Sequence, residues 1–189
     1  MGRRDVPCGA QYANLQAVET MGVEPNTGNK TYRDAIYQLG TRDWANAFRV
    51  LDSAGAAAVA DVLWGTTLPN TAIRKWCVAL LDHHGDRTSV PVLRHLLSDS
   101  SPTVRRHAVH SIGCQRCKPE PLDCAVVDLL LDRIEHDPSP RVRRVAAHQL
   151  GCQPQEAHAA PTIARLLSTE RSSRVRSVLT WTLRMHTRT

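Results

Sequence analysis

Residues 140–150 read PRVRRVAAHQL, and similar segments recur along the chain. Each copy has an apolar anchor residue followed directly by arginine. The anchors are Ile73, Val104, Val142 and Val175, at intervals of 31, 38 and 33 residues, and a fainter copy lies at 43–51. A repeat length in this range is typical of stacked helical units. The segment therefore predicts a repeat protein.

Apolar or small residues follow each anchor after four and after eight positions, as Ala146 and Leu150 follow Val142. This spacing places them on one face of a helix. We call the helix with the anchor the A helix of its repeat, and the next helix the B helix. Predicted A helices span 41–54, 71–83 and 172–186, and two more begin at 102 and 140; predicted B helices span 56–64, 88–97 and 122–135, and one ends at 167.

A further helix is predicted over residues 31–40, with Thr31 as its N-cap and Gly40 after its end. The chain is therefore expected to be all-α, with about four and a half helical hairpins. Residues 1–30 are rich in glycine and proline and predict a poorly ordered N-terminal arm, so the repeats would occupy 31–189.

Composition limits the function classes. Aromatic residues make up only 4% of the 189 residues, so leucine, valine, isoleucine and alanine must build the core. No apolar run approaches the roughly 20 residues that span a bilayer. No signal peptide is visible, so we expect a cytoplasmic protein without membrane contact, whose six cysteines are thiols.

The run DPSPRVRRVAAHQLG at 137–151 resembles the HEAT repeat, in the bacterial form that also occurs in phycobilin-lyase-like proteins. The resemblance covers about residues 41–189 and is weak in the first repeat. It implies an α-α superhelix, a HEAT-like solenoid, with A helices on the convex side and B helices on the concave side. Such solenoids serve mostly as binding surfaces, so the resemblance indicates the fold more specifically than the function.

The longest interval between anchors holds additional residues, among them Cys114 and Cys117, with Cys124 just beyond; Cys152 occupies the position after a glycine that Cys114 occupies one repeat earlier. The spacing C-x-x-C is found in metal and redox sites. Cysteine is also a small residue that packs at helix ends. We therefore expect no metal and no cofactor, while zinc at these four thiols stays an open alternative.

Enzymatic alternatives have few matching residues. HEAT-like deoxyhypusine hydroxylases use His-Glu pairs as iron ligands, and this chain has no His-Glu dipeptide, although His107 and His110 lie three residues apart. HEAT-like alkylpurine DNA glycosylases use tryptophan and aspartate, for which Asp61 and Trp64 are the best match. No catalytic residue set is predicted, so we expect a protein that is not an enzyme.

Charge differs between the two kinds of helix. The net charge of +6 arises on the A segments, whereas the B segments are net acidic, most of all around Asp128, Asp132 and Glu135. An acidic surface repels a phosphate backbone. An arginine in the first turn of a helix opposes the helix dipole, so Arg105 and Arg143 are predicted to pair with Asp99 and Asp137.

These patterns predict a non-catalytic scaffold or adaptor that binds another protein. The predicted contact residues are Arg94, His95, Asp128, Asp132, Arg165 and Trp181. The main alternative is nucleic-acid binding through a basic ridge of Arg105, Arg106, Arg143, Arg144, Arg174 and Arg176. A glycosylase-like enzyme and a bilin-lyase-like chaperone are further alternatives. Trp181 lies on the last helix, so self-association through the C-terminal repeat is a third kind of contact that the sequence allows.

Overall fold

The computed structural model describes residues 28–118, 122 and 125–188, and these residues form helices and no strand. The α-helices are α1 Lys30–Gln38, α2 Trp44–Ala54, α3 Val59–Gly65, α4 Thr71–His84, α5 Val90–Leu96, α6 Pro102–Gly113, α7 Val126–His136, α8 Pro140–Leu150, α9 Ala159–Thr169 and α10 Ser173–His186. Short 3-10 turns at Gly55–Ala58 and Arg87–Ser89 precede α3 and α5. The predicted all-α class and helical hairpins are confirmed. Most of the predicted N-terminal arm lies outside the described residues.

The chain divides into two compact units, Met1–Cys77 and Val78–Thr189, and the division falls within α4. In the first unit α1 packs on α2 and α3, around the buried side chains of Ile36, Leu51 and Val62. A Cβ on Gly65 would lie 2.5 Å from the Cys77 sulfur, so this close approach requires glycine. The N-cap of α1 is Asn29, not the predicted Thr31, because the Asn29 side chain accepts a hydrogen bond from the Thr31 backbone N–H.

In the second unit the A helices pack side by side, with α8 in contact with both α6 and α10. The B helices α7 and α9 contact each other, and each packs on the A helix that follows it, α8 for α7 and α10 for α9. The predicted apolar stripe is buried: Val142, Ala146 and Leu150 of α8 are each 0% exposed. One hairpin cannot cover such a stripe alone, so each A helix depends on its neighbours for burial.

An arginine–acid pair joins successive repeats of this unit. The Arg105 guanidinium donates two hydrogen bonds to the Asp137 carboxylate, at 2.7 and 3.0 Å, and Arg143 does the same to Glu170, at 2.7 and 2.9 Å. A third nitrogen of each arginine donates to the backbone carbonyls that precede its own helix, Asp99 and Ser100 for Arg105, Asp137 and Pro138 for Arg143. Each arginine therefore ties its own helix start to the next one.

The predicted partners of these arginines were one repeat too early. The Arg105 guanidinium donates to the carboxylate of Asp137 and to the backbone carbonyl of Asp99. In the same way, Arg143 donates to the carboxylate of Glu170 and to the backbone carbonyl of Asp137. The acids have a second role at the helix starts. Asp137 accepts a hydrogen bond from the Ser139 backbone N–H at 2.8 Å, and Glu170 accepts one from Ser172 at 2.7 Å.

The Glu170 carboxylate makes stability depend on pH. Its hydrogen bonds with Arg143 hold the pKa of Glu170 below its ordinary value of 4.5. A lowered folded-state pKa gives stability that is present above the unfolded-state pKa and is lost as the pH falls through the folded-state pKa. We expect Glu170→Gln to cost roughly 1–2 kcal/mol at neutral pH, and the difference from wild type to shrink as the pH falls below 4.5.

Urea unfolding of both proteins across this pH range measures the difference. Glu156→Gln is the matched control, because Glu156 is exposed, and it should change stability by no more than about 0.5 kcal/mol. A Glu170→Gln cost that stays constant down to acid pH would show that the charged carboxylate is not the stabilising form.

Candidate functional site

The arginines of the predicted basic ridge differ in their contacts and in their exposure. The guanidinium groups of Arg105 and Arg143 are held by carboxylates, and Arg176 donates to the backbone carbonyls of Glu170 and Arg171 at 3.0 and 2.8 Å. These arginines are engaged in holding the helix starts. The remaining ridge residues differ in exposure: Arg106 is half-buried, and Arg144 and Arg174 are exposed.

The exposed side of the B helices carries ion pairs that cross from α7 to α9. Arg165 on α9 donates two hydrogen bonds of 2.8 Å to Glu135 on α7, and His158, the residue before α9, lies 3.0 Å from the Asp128 carboxylate. The side chain of Asp128 is 69% exposed, and that of Arg165 is 55% exposed. We call this surface, made of Asp128, Asp132, Glu135, His158 and Arg165, the α7–α9 face.

Asp132 lies on the same face and has partners on its own helix. The Arg133 Nε donates to it at 2.9 Å, and His136 Nδ1 lies 2.9 Å from its other oxygen. Burial alone would raise the pKa of Asp132, but Arg133 and His136 hold it below its usual range. Asp132 therefore stays charged at neutral pH. Arg133 also donates a hydrogen bond to the Leu97 backbone carbonyl at 3.1 Å, and this contact helps to hold its guanidinium beside Asp132.

The other predicted contact residues lie elsewhere. Arg94 and His95 are exposed on α5, and no hydrogen bond or ion pair in the described part of the chain joins Arg94 to the α7–α9 face. Trp181 on α10 stacks on His148, with ring centroids 5.3 Å apart, and a Cβ on Gly151 would lie 2.3 Å from its ring. The indole is thus packed on the end of α8 and 37% exposed.

The pair that resembled a glycosylase site is part of the packing in the first unit. Asp61 is 4% exposed and accepts hydrogen bonds from Arg33 Nε at 3.0 Å and from the Asn29 backbone N–H at 3.1 Å. The Arg33 guanidinium lies 4.4 Å from the centroid of the Trp64 ring. Asp61 and Trp64 therefore attach the start of α1 to α3.

Among the described residues of the second unit, one cluster of potential metal ligands is present. Asp82 from the end of α4, His110 from the last turn of α6, and Cys114 and Cys117 from the loop after α6 each offer one ligand atom. These four atoms all lie within 4.8 Å of one another. The His110 Nε2 is 3.2 Å from Asp82 Oδ2 and 3.8 Å from the Cys117 sulfur, and the two sulfurs are 2.8 Å apart.

Buried polar groups hold this cluster in place. The Lys118 side chain is 0% exposed; its ammonium lies 3.4 Å from Asp82 Oδ1 and donates a hydrogen bond to the Ser111 backbone carbonyl. The Gln149 side-chain amide contacts His110 Nδ1 at 2.8 Å. The Gln153 amide donates to the Gly113 carbonyl at 2.7 Å. Side chains from the end of α8 and the segment after it thus fix the histidine and the start of the loop.

The pKa values of the cluster are shifted by its own members. The hydrogen bond to Asp82 raises the pKa of His110 above its usual value. Burial raises the pKa of the Cys117 thiol to about 12, and its hydrogen bond with Cys114 adds to this increase. Burial acts in the same direction on Cys114, but hydrogen bonds from Cys117 and from backbone N–H groups outweigh it and lower the pKa of Cys114. Of the two sulfurs, Cys114 therefore loses its proton more readily than Cys117.

The residues of this cluster are not the four cysteines that the sequence suggested as a possible zinc site. Cys114 and Cys117 belong to it, whereas Cys152 is exposed and does not, and Cys124 lies outside the described residues. Asp82 and His110 were not predicted as ligands beside these thiols. The sequence does contain a signal for His110, the spacing His-x3-Cys-x2-Cys at 110–117. This spacing places His110 one helical turn before Cys114, on the same side of the helix.

No helix in the described part of the chain is both long and apolar enough to cross a bilayer. The cytoplasmic location stays a prediction.

Comparison with known proteins supports the fold. The family model for HEAT repeats matches residues 59–126, and no curated protein matches the chain. A solved structure, the complex of CpcE and CpcF of phycocyanin lyase from Nostoc sp. PCC7120, is similar to the chain with a TM-score of 0.61. The match has 18% sequence identity and covers 90% of this chain and 98% of that chain. Residues 59–126 therefore match HEAT repeats, and the chain has the all-α fold of a HEAT-like helical repeat protein.

Proposed function

We propose that this helical repeat scaffold is a non-catalytic protein-binding module whose contact surface is the α7–α9 face. The observation that carries the proposal is the pair of exposed ionic contacts from α7 to α9, Glu135 with Arg165 and Asp128 with His158. Exposed ion pairs are weak in water. A bound protein can therefore replace one partner of each pair at little cost in stability.

Charge indicates the kind of partner. Asp128, Asp132 and Glu135 are all exposed on α7, and Arg165 is the exposed arginine opposite them. Even when Arg133 beside Asp132 is counted, three carboxylates face two arginines on this surface. This acidic surplus suits a protein partner that presents lysine or arginine.

The solved structure with the same fold adds a second line of support. That structure is a complex of two proteins, so the fold takes part in assembly with another chain there. At 18% identity this similarity supports the fold, and the charge of the α7–α9 face supports the kind of partner. The predicted self-association through Trp181 remains a separate prediction.

The nucleic-acid alternative has weaker support, because the arginines of the ridge have other partners. Arg105 and Arg143 each donate two hydrogen bonds to one carboxylate, and Arg176 donates to two backbone carbonyls. An arginine held in this way has fewer free N–H groups for a phosphate. Arg144 and Arg174 are exposed, and two separate arginines provide fewer phosphate contacts than specific binding to a duplex uses.

Site-specific crosslinking tests the surface. A photoreactive amino acid at position 165 should crosslink a protein in the source cells, whereas the same group at position 144, on an A helix, should not. The crosslinked protein is then purified and titrated against wild type and Asp132→Lys. We expect the charge reversal to weaken binding at least about tenfold, because it replaces an acidic group opposite basic ones. Thermal unfolding should show that the variant is folded.

Arg144→Glu is the matched control, since it reverses a charge on an exposed A-helix position, and it should bind as wild type does. Equal crosslinking at both positions, or unchanged affinity of Asp132→Lys, would contradict the proposed face. Binding of a DNA or RNA oligonucleotide that falls steeply with salt, and that Arg144→Glu weakens, would favour the nucleic-acid alternative instead.

A further inference from the structure

We propose that Asp82, His110, Cys114 and Cys117 bind one Zn²⁺ ion as a structural site. Two sulfurs, one imidazole nitrogen and one carboxylate oxygen form a set that zinc accepts in tetrahedral coordination. All four ligand atoms already lie within 4.8 Å of one another. Ligand atoms of a tetrahedral zinc ion lie roughly 3–4 Å apart, so small side-chain shifts complete the site.

Charge balance supports a divalent cation. Zinc binds cysteines as thiolates, so the four ligands together carry three negative charges. The Lys118 ammonium is fully buried beside Asp82 Oδ1, which leaves Oδ2, the oxygen close to His110, to face the ion. Zn²⁺ and Lys118 together balance the thiolates and the carboxylate.

The ligands are positioned by a second set of contacts. A histidine that binds a metal through one ring nitrogen usually hydrogen-bonds through the other, and the Gln149 amide lies 2.8 Å from His110 Nδ1. A side-chain amide offers a donor and an acceptor, so Gln149 can serve the tautomer that binds zinc through Nε2. Gly113 allows this arrangement, since a Cβ at this position would lie 2.5 Å from Gln149 Cβ.

The position of the site indicates a structural role. Asp82 ends one A helix, and His110 and Cys114 end the next, so the ion would join the C-terminal ends of two neighbouring A helices. A cation is also favoured there, because helix C-termini carry partial negative charge. Four protein ligands fill the coordination sphere, which is typical of structural rather than catalytic zinc. The site is separate from the α7–α9 face, so the two proposals stand independently.

Metal analysis tests the proposal directly. The chain, without an affinity tag and purified with a thiol reductant but without a chelator, should contain about one zinc per chain by elemental analysis. After removal of the zinc, titration with Co²⁺ should produce the visible bands of a tetrahedral ion and a thiolate charge-transfer band in the near ultraviolet. The double variant Cys114→Ser/Cys117→Ser should lose the charge-transfer band and bind Zn²⁺ at least about 100-fold more weakly.

Cys152→Ser is the matched control, because it removes an exposed thiol outside the cluster, and it should bind zinc as wild type does. Should the double variant not fold, the wild-type zinc content and the Co²⁺ spectrum decide the question by themselves. Wild-type protein without zinc and without a thiolate band on Co²⁺ addition overturns the proposal. So does a folded double variant with wild-type affinity.

Discussion

Replacing Arg105 by alanine is expected to cost about 3–5 kcal/mol of folding stability, one of the largest effects of any single change in this chain. The Asp137 side chain is 0% exposed, and Arg105 supplies two hydrogen bonds to its carboxylate. Without the guanidinium, a buried carboxylate loses its countercharge, and the backbone carbonyls of Asp99 and Ser100 lose a donor. The variant also leaves a gap between the starts of two neighbouring A helices.

Urea unfolding followed by circular dichroism measures this loss. Arg144→Ala is the matched control: it removes an exposed arginine from an A helix and should change stability by no more than about 0.5 kcal/mol. The double variant Arg105→Met/Asp137→Asn removes both charges and keeps an oxygen for the Ser139 backbone N–H. It should recover a large part of the loss. An Arg105→Ala protein as stable as Arg144→Ala would show that the ion pair does not join the repeats.

The sequence predicted that these arginines have acidic partners, but it named the wrong repeat. The predicted partner was the acid that precedes each arginine by six residues, as Asp99 precedes Arg105. In the structure the backbone of that segment already accepts the third guanidinium nitrogen, so the two remaining nitrogens point to the next repeat. Which repeat supplies the carboxylate depends on how neighbouring hairpins stack, and the stacking cannot be read from a single repeat.

The helices themselves were predictable because their signals are local. The apolar spacing after each anchor identified the buried faces, and Gly55, with φ of 55°, ends α2 as expected. Helix starts were less accurate where no strong cap is present. The helix predicted from 122 begins at Val126, and the one predicted from 56 begins with a 3-10 turn before Val59. Neither start has a side-chain cap, so the sequence held no signal for these boundaries.

The metal-ligand cluster was only half predictable. Cys114 and Cys117 stood out by their C-x-x-C spacing, and His110 is one helical turn before the first of them. Asp82 is 28 residues before His110 in a different hairpin, and nothing in its immediate sequence marks it. Its selection requires knowing that the C-terminal ends of successive A helices lie side by side. Exposed Cys152, which shares a repeat position with Cys114, shows that equivalent positions need not meet.

The largest effect of a substitution on the apolar stripe is expected at Ala146. This residue is 0% exposed, at the centre of α8, which packs against α6, α7 and α10. Ala146→Arg would force a long charged side chain into a contact that accommodates a methyl group, and no carboxylate lies on the stripe to pair with it. We expect a loss on the order of 3 kcal/mol or more, or a protein in which the second unit does not fold.

Ala164→Arg is the matched control, because it makes the same substitution at an exposed position of α9. It should remain within about 0.5 kcal/mol of wild type, since arginine is a good helix former and has solvent around it there. Far-ultraviolet circular dichroism and urea unfolding compare the three proteins. Hydrogen exchange then locates the loss: amides of α6, α8 and α10 should lose protection together, because each of these helices buries its stripe on its neighbour. Wild-type stability of Ala146→Arg would mean that the stripe is not the contact between the A helices.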